Sequence, residues 1–290
     1  MSVTHLAAPV FVVLWSTGFI GAKLGLPHSE PMTFLALRFG VVAAMLAVWV
    51  RASGARLLTP RQFREQALIG ALIHFAYLGG VFVAIEWGVE AGMSALIVGL
   101  QPVVMAWLAG MILGERLDRV QWLGMALGLG GVMLVVSRKL GAGIGDWAGV
   151  GACVIGLLAF SVGTILQKWL SEDVPQRAAG AVQFGSGALC CLVGALIFEE
   201  MVIEWAAPMI VAMTWSIFVL SLGAVTLLYF LIRHGAASNV ASMLFLVPPC
   251  TAIIAWGLFG EVMGWIEMTG FAVTAIGVLM VNRPESFRRS

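Results

Sequence analysis

The chain alternates long apolar runs with short polar breaks. Ten runs of roughly 20 residues stand out, at about 6–26, 32–50, 66–88, 92–113, 119–137, 147–169, 177–198, 210–232, 238–259 and 264–282. Each has the length a helix needs to cross the hydrocarbon of a bilayer, and none has the period-two alternation of a barrel strand. Turn formers mark the gaps: Pro27 and Pro31, Gly54 and Pro60, Gly141, Gly143 and Gly145, Pro175, Pro208 and Pro284. The pattern predicts an all-α integral membrane protein with ten transmembrane helices, short connections and no soluble domain.

Composition narrows this reading. Apolar residues are 61% of the chain and charged residues 11%, against roughly 45–50% and 25% in soluble domains. A water-soluble fold could not hide that much apolar surface. The cations are unevenly placed. Twelve Lys and Arg residues fall in segments on one side of the expected membrane, and only Lys23, Arg138 and Lys139 on the other. Cytoplasmic segments are enriched in Lys and Arg, so both termini are expected in the cytoplasm. The first run reads as a retained span, since it lacks the basic leader and cleavage site of a signal peptide. A net charge of +1 points to no nucleic-acid partner. Cys153, Cys190, Cys191 and Cys250 all lie inside apolar runs without metal-binding spacing, which suits small packing residues.

The chain also repeats itself. Ser16, Gly18 and Lys23 match Ser161, Gly163 and Lys168 at an offset of 145, as does "LRFG" (37–40) with "VQFG" (182–185). Pro102, Gly114, Glu115, Gly124 and Gly131 match Pro248, Gly260, Glu261, Gly270 and Gly277 at 146. The ordered matches divide the chain into two five-helix repeats, 1–140 and 141–290. Five is odd, so the second repeat enters the membrane with opposite polarity. Such inverted repeats are a frequent plan of secondary transporters, because two similar halves can form conformations of comparable energy that open to opposite sides.

The early "LWSTGFIGAK", the "LALRFG" of the second span and the paired P-x11-GE elements resemble the drug/metabolite transporter superfamily, EamA type. The resemblance covers essentially the whole chain. It implies two inverted five-helix repeats around a central cavity lined by spans 1, 3, 4, 6, 8 and 9. It also implies a small-molecule substrate, with amino acids or related metabolites as the export class.

Several residues could do the work of such a cavity. Pro102 and Pro248 lie inside spans 4 and 9, where a proline removes a backbone hydrogen bond and makes a kink or hinge. Gln101, whose repeat partner is Val247, places an amide at mid-depth. His74 and Tyr77 share one face of span 3, and Tyr229 is expected to approach from span 8. His74 would also be the group to couple flux to protons. Trp15 and Ser16 of span 1, with Ser161 and Thr164 of span 6, complete the expected substrate-binding set. Arg38 sits about two turns into span 2, where a charge is costly unless paired or watered; an acid such as Glu30 or Glu86 is its expected partner, with outward snorkelling or a substrate carboxylate as the alternatives. Glu115 and Glu261 are expected to serve the fold, pairing with an Arg or binding amides at a helix N-terminus. Gly124 and Gly128 form a GxxxG pair suited to close packing within the chain or in a dimer.

No nucleotide loop, metal cluster or nucleophile elbow is found, so no cofactor and no enzymatic activity are expected. The sequence therefore predicts a multi-pass inner-membrane carrier, monomer or homodimer. Its partners are the bilayer, a small-molecule substrate and, as a further candidate, protons. A membrane-embedded enzyme or a non-transporting membrane interaction protein is the alternative.

Overall fold

The computed structural model describes residues 3–113, 118–141, 146–171, 173–224, 227, 246–261 and 264–281. The helices are α1 (Val3–Gly25), α2 (Pro31–Ala52), α3 (Pro60–Gly70), α4 (Gly80–Glu86), α5 (Ala91–Val98), α6 (Gln101–Leu113), α7 (Arg119–Gly141), α8 (Trp147–Leu170), α9 (Gln176–Phe198), α10 (Ala207–Thr214), α11 (Val247–Phe259) and α12 (Trp265–Val281). A π-helical segment, Ala71–Gly79, joins α3 to α4, and a second, Trp215–Ala224, continues α10. Among the described residues the one strand-like pairing is a single bridge between Ser29 and Ile203.

Seven of these helical stretches are long and apolar enough to cross a membrane, and three shorter apolar helices fall where spans 4, 9 and 10 are expected. The chain is a multi-pass membrane protein, and its solvent inverts the usual pattern of burial. Val48, Leu196, Leu258 and Trp265 point outward, whereas Ser16, Gln66, Ser94, Ser161, Ser216 and Thr251 have no exposed surface. Polar groups turn inward because only other protein groups can satisfy them in hydrocarbon.

The helices form two compact units, each drawing on both halves of the sequence. The first holds residues 1–20, 87–150 and 223–290. Its α7 and α12 pack antiparallel, with glycine facing glycine backbone at two levels. A Cβ on Gly124 would lie 2.6 Å from the Gly277 carbonyl, and one on Gly131 would lie 2.6 Å from the Gly270 carbonyl. Gly124 and Gly270 are repeat partners, as are Gly131 and Gly277, so exchanging the repeats turns one contact into the other. The Gly124–Gly128 pair thus packs within the chain, against Gly277.

In the same unit span 4 is broken, where the sequence suggested one kinked helix. Helix α5 ends at Val98, Gly99 and Leu100 form a turn, and α6 opens with Pro102 as its second residue. Proline suits a first turn, where its missing N–H costs nothing. Pro248 holds the same place in α11. The break in span 4 lies against the start of α11: a Cβ on Gly99 would sit 2.9 Å from Pro248 Cγ.

The second unit holds residues 21–86 and 151–222. Here α2 and α9, the repeat partners, also run antiparallel, with Leu46 against Gly180 and Met32 against Gly194. Glu199, just past α9, caps α2 by accepting from Met32 N (2.7 Å), Thr33 N (2.8 Å) and Thr33 Oγ1 (2.8 Å). Helix α3 and the π-segment after it run parallel to α9, Gly70 lying against Gln183 and Gly187 against His74.

Candidate functional site

The strongest polar cluster lies inside the second unit. Helix α2 supplies Arg38 and Phe39, the first π-segment His74 and Tyr77, α8 Phe160, α9 Phe184, and the second π-segment Ser221. A π-helix widens the backbone, and such stretches recur at functional sites. The two here occupy equivalent repeat positions, since Ala71–Gly79 shifted by 145 residues falls on 216–224.

The aromatic groups interlock. His74 stacks on Phe184 at 4.1 Å between centroids, and Phe39 stands 5.1 Å from His74 and 5.8 Å from Phe184. Phe39 and Phe184 are repeat partners, so each half contributes the same ring to one buried contact. Tyr77 stacks on Phe160 at 4.3 Å. His74 Nδ1 is buried with no hydrogen-bond partner among the described residues, so the ring is held by stacking and not by a backbone carbonyl.

Arg38 is 6% exposed. Its Nε donates to Ser221 Oγ at 3.1 Å, and its guanidinium carbon lies 5.3 Å from the Phe39 ring centre. The expected acid partner is absent: Arg38 makes no ion pair among the described residues. Glu30 is taken by the backbone amides of Glu200 (3.1 Å) and Val202 (3.4 Å). It precedes α2, while Arg38 lies eight residues further on, about 12 Å along the helix. His74 and Tyr77 are both within electrostatic reach of the Arg38 charge. Nearby, Gln183 donates to Gln66 Oε1 at 2.6 Å, tying α9 to α3.

The other expected site residues behave differently. Ser161 and Thr164, also in the second unit, spend their hydroxyls on their own helix, donating to Leu157 O and Phe160 O. In the first unit Ser16 does the same toward Val12 O at 2.8 Å, and its hydroxyl also lies 3.3 Å from Val247 O. Thr251 Oγ1 returns a contact to Ser16 O at 3.4 Å, so α1 is fastened to α11 beside Pro248. Trp15 is half-buried against Phe11, and Gln101 opens α6 beside Pro102. Tyr229 and Glu115 lie outside the described residues.

The first unit has a polar pocket of its own. Glu90 and Lys139 form an ion pair at 2.9 Å, and Glu261 accepts from Ala91 N (3.2 Å) and Gly92 N (3.5 Å) at the start of α5. Glu267 and Phe271 close its wall. Of these only Glu261 was singled out by its repetition in sequence. The π-segments and Ser221 had no signal there.

Comparison with known proteins gives the arrangement a context. The model of the EamA-like transporter family matches the chain twice, at residues 3–137 and 147–283. A Streptantibioticus cattleyicolor protein named "Probable terminal-alkyne amino-acid exporter" is 30% identical over 289 residues, covering 96% of this chain and 93% of the relative. A Salmonella typhimurium protein named "Probable amino-acid metabolite efflux pump" is 25% identical, covering 95% and 93%. A solved crystal structure shares the fold with a TM-score of 0.66 at 17% identity, over 96% of this chain and 95% of its own.

Proposed function

Because the chain belongs to the EamA-like transporter family, we propose that it is a secondary carrier that exports amino acids or related small metabolites by alternating access. It would sit in the inner membrane as ten spans with both termini cytoplasmic. One observation carries the mechanism: repeat partners pack antiparallel, α7 on α12 and α2 on α9, the first pair reciprocally. Two halves of opposite polarity related in this way can exchange roles, so a state open to one side has a near-equivalent open to the other. The irregular backbone lies where an exchange needs it, in the break at Gly99–Leu100 and in the two π-segments. Pro102 and Pro248 would hold the broken ends as hinges. Trp15, Ser16, Gln101, His74, Tyr77, Ser161, Thr164 and Tyr229 are proposed to face the substrate path. The relatives named as amino-acid exporters support that class of substrate.

Purified protein in liposomes, offered a pool of labelled amino acids with and without a pH gradient, tests this reading. Protein-dependent flux is the expected result; no flux above protein-free vesicles would sink it. Faster flux under the gradient would add proton coupling, and a flat pH profile in His74→Ala would assign that role to His74.

A further inference from the structure

Arg38 brings a full positive charge into the hydrocarbon zone, and the described residues supply it with one neutral hydroxyl and the face of one ring. Its only hydrogen bond to a described residue uses Nε; the two terminal nitrogens, the forked end that binds carboxylates in pairs, have none. Ionisable groups within membrane spans are costly and are kept for pairing or for function. The described buried polar groups of this unit are Ser29, Thr33, Gln66, His74, Ser161, Gln183, Ser216 and Ser221 besides Arg38, and no carboxylate is among them. Among the described residues, this unit's interior holds a positive charge with no buried carboxylate to meet it. His74 Nδ1, the second unpartnered polar atom of the cluster, belongs to a ring 5.1 Å from that of Phe39, which itself lies 5.3 Å from the Arg38 guanidinium carbon.

Building on the carrier reading, we infer that Arg38 is the anion anchor of the substrate site and that the substrate class is defined by a carboxylate. The guest's carboxylate takes the terminal nitrogens of Arg38 in a two-point contact, while Ser221 holds Nε and fixes the direction of the fork. An amine without a carboxylate is rejected, because it would bring a second positive charge beside Arg38 and find no acid among the described residues there. The cluster thus selects for the acid function common to amino acids and does not require the ammonium group.

The experiment compares a pool of labelled L-amino acids with the matched pool of their decarboxylated amines. Flux is measured in proteoliposomes, and thermal stabilisation in detergent. The wild type should move the acid pool at least about tenfold faster than the amine pool, as expected when one partner of a buried charge pair is missing. Arg38→Met should abolish acid flux and stabilisation. Arg38→Lys, which keeps charge without the fork, should retain a part, and Ser221→Ala should narrow the acid-to-amine ratio several-fold. The last two variants keep the test decisive should Arg38→Met fail to fold. Equal flux of the two pools, or an unchanged ratio in Arg38→Lys and Ser221→Ala, overturns the anchor and leaves the carrier standing. Stabilisation by the acid pool without flux upholds the anchor and removes the carrier. Neither stabilisation nor flux with the acid pool removes both.

Discussion

The two π-segments are the same piece of backbone carrying different chemistry. Ala71–Gly79 and Trp215–Ala224 sit at equivalent places in the two repeats and depart from the α-helix over nearly the same length. Yet His74 and Tyr77 of the first correspond to Val219 and Leu222 of the second, and Ser221, which holds Arg38, corresponds to Ala76. Arg38 itself corresponds to Gln183. The symmetry resides in the main chain and in packing residues such as Phe39 with Phe184, while the polar side chains of the Arg38 cluster break it. A carrier would have reason for both. Two-sided access asks for interchangeable halves, whereas a substrate with one head and one tail asks for an unsymmetrical lining.

This contrast can be broken at either end. The largest effect should come from the shared backbone. Gly131→Leu drives a side chain into the Gly270 carbonyl and the Thr274 amide, whereas Gly130→Leu meets nothing within 4 Å. The first should lose about 3 kcal/mol and much of its folded yield, and the neighbouring control should melt like wild type in detergent. Equal melting would mean that the glycine seam does not hold α7 to α12. Next, His74→Val with Tyr77→Leu writes the second segment's chemistry onto the first. Protein should fold while flux falls about tenfold, near 1.4 kcal/mol; undiminished flux would make the asymmetry incidental. Glu199→Gln replaces a charged cap of α2 with a neutral one, so a loss of about 1 kcal/mol should lower the melting temperature with transport unchanged at moderate temperature. The smallest effect is expected from Gln101→Leu, which brings that site closer to its apolar repeat partner Val247. A reduction of flux by about threefold at equal abundance would place Gln101 beside the path, and no change would remove it.

Much of the architecture could be read in advance, because a helix crossing hydrocarbon leaves a simple trace: a length, two polar ends and a charge bias. The Gly124–Gly128 pair also foreshadowed a close contact within the chain. The π-segments left no such trace. "ALIHFAYLG" has no proline and no distinctive residue before its final glycine, and the difference between α and π lies in which carbonyl each amide reaches. Neighbouring helices have a hand in that choice: Gly70 and Gly80, at either end, meet the backbones of Gln183 and Ala152. Span 4 misled for a related reason. Pro102 announced an irregularity but not its form, and the break depends on Gly99 and Leu100 turning beside Pro248. Arg38 was legible as the residue in need of explanation. Its partner was not, because charge matching alone favours an acid, and the nearby Glu30 is already engaged by main-chain amides.

The glycine seam between α7 and α12 has a mechanical consequence. Where main chain rests directly on main chain there are no rotamers to switch and no apolar knobs to slip past one another. A movement that reaches one helix should be handed on to the other rather than taken up between them. Spin labels on the outward faces of these two helices should therefore report a single narrow distance throughout the transport cycle, a fixed ruler against which the displacement of every other helix can be measured.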